Sequence, residues 1–168
     1  MTSHQHESDE LTGALHRRAF LQRVEVAIAA AQTTGAPFAL CLLDLDRFNV
    51  INDTHGHEAA QAVLKAVASR LRKVLWSDDS IGRVDGDEFA VLLAGADAER
   101  SRRAAGKMSR ALSEPMDMGG KTVTPDIFVG IALYPAHGAT AEELVRYADQ
   151  DVERFKRETS HVRKGEEL

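Results

Sequence analysis

The sequence predicts an α+β fold with a largely antiparallel central sheet flanked by helices. Two short apolar runs, residues 81–84 and 89–93, meet across Asp85-Gly86, a strong hairpin signal. Segments with apolar residues at helical spacing also alternate with short continuous apolar runs that read as strands. With 168 residues, 43% of them hydrophobic and 28% charged, the chain suits one globular domain with a real core.

Residues 1–8 read as a disordered lead-in or cloning remnant, and His4 and His6 as tail composition rather than a metal site. The domain is expected over residues 9–160, with residues 161–168 as a C-terminal tail. The first helix runs from about Arg17 to Thr33 and stops before Gly35 and Pro37. Residues 38–43 follow as a buried strand. Val63, Leu64, Val67, Leu71, Val74 and Leu75 place a helix within residues 56–76. The hairpin comes next, its Asp-Gly pair suiting the positive φ angles of a type I′ turn. A helix over about residues 97–112, one or two strands within residues 121–134, and a last helix over about residues 140–157 complete the order.

Composition narrows the function. A net charge of −5 gives no basic face for nucleic acid. No apolar run approaches the roughly 18 residues of a membrane span, so no membrane contact by the domain is expected. The N-terminus, MTSHQHESDE, is too polar and acidic for a signal peptide. Cys41 is the only cysteine, which excludes an intrachain disulfide and fits a cytoplasmic protein. It reads as a small buried hydrophobe.

The acids carry the chemistry. LLDLDRF ends the first strand with Asp44 and Asp46, whose i, i+2 spacing puts both on one face if the strand continues. GRVDGDEFAVLL brings Asp87 and Glu88, pointing to opposite faces, to the hairpin tip. If the hairpin lies beside the first strand, Asp44 and Asp87 converge, and two carboxylates with a backbone carbonyl suit Mg²⁺. Spacing alone leaves two readings open: a metal site for phosphoryl transfer, or the ordinary richness of turns and strand ends in aspartate.

Three ordered blocks, DELTGALHRRAF (9–20), LDLDRFNVINDTHGHEAA (43–60) and RVDGDEFAVLL (83–93), resemble the GGDEF domain of diguanylate cyclases, with a variant DGDEF motif. The likeness covers nearly the whole chain, from about residue 9 to 157. It implies a palm-like nucleotide-cyclase fold, GTP as substrate, Mg²⁺ or Mn²⁺ as cofactor and cyclic di-GMP as product. It also implies reaction between two domains, hence a homodimer, and an adjacent sensory or output domain. Position by position, the resemblance makes Asp44 and the Leu45 carbonyl metal ligands. Asp87 becomes the second metal ligand and the acid/base for the ribose 3′-hydroxyl, with Glu88 beside it. Phe48 would line the nucleotide site, Asn52 contact guanine, and Lys156 reach the triphosphate. Arg83 and Asp53 match structural positions. His57 matches a family position in which a local hydrogen bond is expected.

The departures share a direction. Asp85 stands where the family has the first glycine of the motif, next to Gly86, and sets a negative side chain toward a polyanion. Asn49 replaces a lysine, and Ser160 falls at a triphosphate-binding arginine. Gln61 replaces a guanine-reading aspartate, and its amide has only one acceptor for guanine N1–H and N2–H₂. Phe128 replaces a serine, and His16 an asparagine. Charge-assisted contacts are worth roughly 1.5–3 kcal/mol each, so two lost cations and one added anion remove several powers of ten in rate. Arg154 and Arg157 are candidate substitutes for the lost arginine. Three readings follow: a degenerate domain that binds GTP or another nucleotide with weak or no cyclase activity, a working cyclase, and a cyclase of altered base preference.

Overall fold

The structure, a computed structural model, describes residues 7–166, with side chains through Thr159. His4 and His6 lie outside the described residues, as does the Ser160 side chain. The elements run β1 (Leu15–His16), α1 (Arg17–Thr34), β2 (Phe38–Asp46), α2 (Phe48–His55), α3 (His57–Val74), β3 (Ser80–Asp85) and β4 (Glu88–Leu93). They continue with α4 (Ala98–Ser113), β5 (Met116–Asp117), β6 (Thr122–Val123), β7 (Asp126–Tyr134) and α5 (Ala141–Glu166). Five strands form one sheet in the order β1-β3-β4-β2-β7; β1 pairs parallel to β3 and the other pairs are antiparallel. The expected α+β architecture is present, with helices on both faces.

Alternation along β2 explains the two cores. Ala39, Cys41, Leu43 and Leu45 join Val67, Leu71, Phe89 and Met108 on the face covered by α3 and α4. Phe38, Leu40 and Leu42 join Phe20, Val24, Leu144 and Ala148 on the face covered by α1 and α5. Each fully buried side chain of this size contributes about 1.5–3 kcal/mol. Cys41 is buried in the first core, and burial pushes its thiol up to about 12, so it behaves as a small hydrophobe.

Local chemistry sets the boundaries. His16 caps α1, its Nδ1 accepting from the Ala19 N–H at 3.2 Å, so the residue that departs from the family motif has a structural task. Gly35, at φ 74°, ends the helix with its N–H on the Ala31 carbonyl. Gly130 lets α5 lie directly on β7: a Cβ there would meet the Ala148 carbonyl oxygen at 2.1 Å.

Four expectations change. The segment after β2 holds a separate helix, α2, entered through Arg47 at φ 58°. The short strand β5, paired with β6, was not read from the sequence. Helix α5 extends to Glu166. The hairpin turn is not type I′: neither Asp85 nor Gly86 has a positive φ. A register shift between Arg83 and Asp85 pairs Asp85 with Glu88, moving the two-residue loop to Gly86-Asp87.

Candidate functional site

The site forms where the β3–β4 hairpin, the end of β2 and helices α2, α3 and α5 meet. β2 continues to Asp46, so Asp44 and Asp46 share the α1/α5 face, as their spacing predicts. Asp44 stands directly opposite Glu88 across the β2–β4 ladder. The ladder reaches the turn, where the Leu45 N–H donates to the Asp87 carbonyl at 3.3 Å.

Asp87 and Glu88 diverge from this point. Asp87 lines a pocket of about 430 Å³, together with Asp85 and Gly86 of the hairpin. Phe48 and Asn52 of α2, and His57 and Gln61 of α3, form other walls. Glu88 lies on the other face of the sheet, half-buried beside Arg17, Phe20 and Leu42. Asn49 sits exposed on α2 and does not line the pocket. Leu11 and Arg83 also line it; neither was assigned a pocket role from the sequence, because each comes from a segment distant in sequence from α2.

The cations near the acids are engaged. The Lys156 Nζ donates to Asp44 Oδ2 and lies 3.6 Å from Glu153. Burial works against the Lys156 charge, but the hydrogen bond and charge of Asp44, with Glu153 and Asp46, hold its pKa above the usual value. Arg83 donates to both oxygens of Asp9, at 3.2 and 3.1 Å, and its Nε and Nη2 donate to the Gly86 carbonyl at 3.1 and 2.9 Å. Burial raises the Asp9 pKa, but hydrogen bonds from Thr12 and Arg83 outweigh it and leave Asp9 below its usual value. Arg154 turns to Asp151, at 2.6 Å, in a groove on another part of the surface.

Negative charge is left crowded at the tip. Burial and then Asp44 raise the pKa of Asp87, with a smaller contribution from Asp85. Glu88 is pushed up to about 7, first by burial and then by Asp44, Asp149, Asp85 and Asp87. A divalent cation would relieve this crowding, but the register sets Asp44 on the face of Glu88, while Asp87 turns to the pocket on the other face. Among the described residues no group of three or more His, Cys, Asp or Glu is arranged to hold a metal, so such an ion would rest on two carboxylates and a carbonyl.

The end of the pocket formed by α2 and α3 has its own local order. Gln61 Nε2 lies 3.1 Å from His57 Nε2, the local hydrogen bond expected of His57. This contact leaves the Gln61 carbonyl oxygen as the amide's acceptor. Asn52 gives its backbone carbonyl to the Gly56 N–H and keeps its side chain exposed.

Residues 6–161 match the family model for the diguanylate cyclase GGDEF domain. The chain is 37% identical over 171 residues to diguanylate cyclase TpbB of Pseudomonas aeruginosa, covering 99% of this chain and 39% of that protein. It is 36% identical over 152 residues to a signaling protein of Caulobacter vibrioides, covering 89% of this chain and 19% of the other. The chain thus spans well under half the length of these relatives. The solved GGDEF domain of TpbB superposes with a TM-score of 0.86 at 36% identity, covering 90% of this chain and 89% of that one.

Proposed function

The chain belongs to the GGDEF domain family, and on that premise we propose that it is a nucleotide-binding, regulatory module of cyclic di-GMP signalling whose own cyclase activity is weak or absent. The observation that carries this reading is the charge balance at the hairpin tip. Asp44, Asp85, Asp87 and Glu88 crowd together, while two cations beside them are committed, Lys156 to Asp44 and Arg83 to Asp9 and Gly86. A triphosphate arriving here meets an excess of negative charge. Asn49 adds no cation to offset it.

The division of labour follows from the pocket. Phe48, Asn52 and Gln61 line one end and Asp85, Gly86 and Asp87 the other; this reading assigns the base to the first and the phosphates to the second. Asp44, Asp87 and the Leu45 carbonyl would hold Mg²⁺ or Mn²⁺, which when bound offsets phosphate charge and acidifies the attacking hydroxyl. Asp87, with its raised pKa, is the group this reading assigns to accept the ribose 3′-hydroxyl proton. Lys156 already gives one of its three N–H donors to Asp44, so its charge is shared between that carboxylate and any triphosphate. Cyclisation also needs two domains face to face, supplied in a cytoplasmic homodimer by neighbouring segments.

Two measurements separate the readings. GTP with Mg²⁺ is expected to raise the melting temperature of the chain. A fusion to a dimeric coiled coil, supplied with GTP and Mg²⁺, is expected to yield little or no cyclic di-GMP. Robust turnover by that fusion, abolished by Asp87→Ala, would overturn the proposal in favour of an ordinary cyclase. A second reading, altered base preference, is favoured by the Gln61–His57 contact, because one free acceptor and one remaining N–H complement adenine better than guanine. ATP in place of GTP in the same assay tests it.

A further inference from the structure

A groove of about 570 Å³ runs between α4, β7 and α5 and shares no lining residue with the nucleotide pocket. Its floor is the α4-side face of β7, which is the last strand in the order and so carries a free edge. Ile127, Val129, Ile131 and Leu133 of this strand are only half-buried. The α4 wall is low, built from Ala98, Ala105, Gly106 and Ser109 around Arg102.

Side chains close only half of this edge. The Ile131 N–H donates to Asp151 Oδ2 at 3.0 Å, and the Leu133 N–H to His137 Nδ1 at 2.8 Å. Backbone groups alternate between the two edges of a strand, so Ile127 and Val129 turn the same way. Neither N–H has a hydrogen bond on that side among the described residues. An open, apolar edge is a template for another strand.

Charge specifies what would fit. In a chain of net charge −5, α4 carries Arg100, Arg102, Arg103, Lys107 and Arg110 against the single acid Glu99. Arg102, Lys107 and Arg110 make no ion pair among the described residues. Across the groove Arg154 keeps one nitrogen on Asp151 and lies 5.2 Å from the Phe155 ring, with other N–H groups left to donate. Arginines thus stand on both walls of an apolar floor. We propose that this groove binds an extended segment of a partner protein in which apolar residues alternate with carboxylates, added as a strand along the open half of the β7 edge.

The test uses the whole chain and two short synthetic peptides, one alternating valine with glutamate and the other valine with lysine. Amide chemical shifts are followed during titration. The glutamate peptide is expected to shift Ile127, Val129 and Arg102, and the lysine peptide to leave them unmoved. Arg102→Glu combined with Arg154→Glu, both exposed and checked for folding by circular dichroism, should weaken the glutamate peptide about tenfold or more and strengthen the lysine peptide. Equal binding of both peptides, no binding, or shifts confined to the nucleotide pocket would overturn the proposal. So would self-association of the free chain through β7, or the same shifts produced by inorganic triphosphate.

Discussion

Lys156 Nζ donates to Asp44 Oδ2 across 112 positions of sequence, joining the last helix to the end of the central strand. Both side chains are largely buried, at 29% and 22% exposure, so solvent screens the pair only in part. Lys156→Met is expected to lower stability by about 1 kcal/mol, a few degrees in melting temperature, when no divalent ion is present. The same substitution should weaken GTP binding, because it removes a cation that the proposed function brings to the triphosphate. Calorimetric melting and GTP titration together check both effects.

Glu88 gives the domain a pH dependence of definite sign. Its folded pKa of about 7 lies above the unfolded value of 4.5, so the folded state holds the proton more tightly. The resulting stabilisation is complete below about pH 4.5 and lost as pH rises through 7. Asp87 acts in the same direction. Melting temperature should therefore fall between pH 5 and 7.5, and Glu88→Gln should flatten the slope. An unchanged slope in that variant would assign the dependence elsewhere.

The resemblance to GGDEF domains implies a product-binding Arg-x-x-Asp motif just before the hairpin, whose positions here are Trp76 and Asp79. Asp79 is 1% exposed and already accepts from the Trp76 N–H at 2.9 Å, the Ala94 N–H at 3.0 Å and Arg100 at 3.2 Å. Arg100 in turn stacks 3.6 Å over the Trp76 ring. No strong cyclic di-GMP binding is expected at this surface. Asp79→Ala should instead cost about 1.5–3 kcal/mol of stability. Micromolar cyclic di-GMP binding that disappears in Asp79→Ala would contradict this.

The charge argument predicts its own rescue. In the coiled-coil fusion, Asp85→Gly with Asn49→Lys removes an anion and adds a cation. Cyclic di-GMP formation should rise about tenfold or more. The hairpin should tolerate the glycine, since among the described residues the Asp85 side chain accepts only from the neighbouring Gly86 N–H at 2.8 Å. No gain in rate, with GTP binding intact, would mean that charge is not the barrier.

Some of this arrangement is legible in the sequence and some is not. The boundaries of α1, β4 and α4, and the start of β2, follow from caps, glycines and apolar spacing, all local signals; β2 runs three residues past its expected end at Leu43 to Asp46. Phe48, Asn52, Gln61, Asp85, Gly86 and Asp87 line one pocket, whereas Asp44, Leu45, Asn49, Glu88 and Lys156 do not line it. Helix α2 is hidden because Arg47 takes a left-handed conformation that sequence normally advertises with glycine. The turn type is hidden because an irregularity in β3 displaces the loop by one residue. The commitment of Lys156 to Asp44, and of Arg83 to Asp9, arises between segments far apart in the chain. No periodicity or spacing encodes such contacts.

A missing methyl group governs the reach of Lys156. Gly130 brings the axis of α5 against β7 at Ala148, and Lys156 lies two turns further along the same rod, about 12 Å away. The contact at Gly130 is a fulcrum, and α5 is the lever whose far arm carries the ammonium to Asp44. Even the small bulk of alanine at position 130 would tilt that arm outward and part the two charges, without touching either of them.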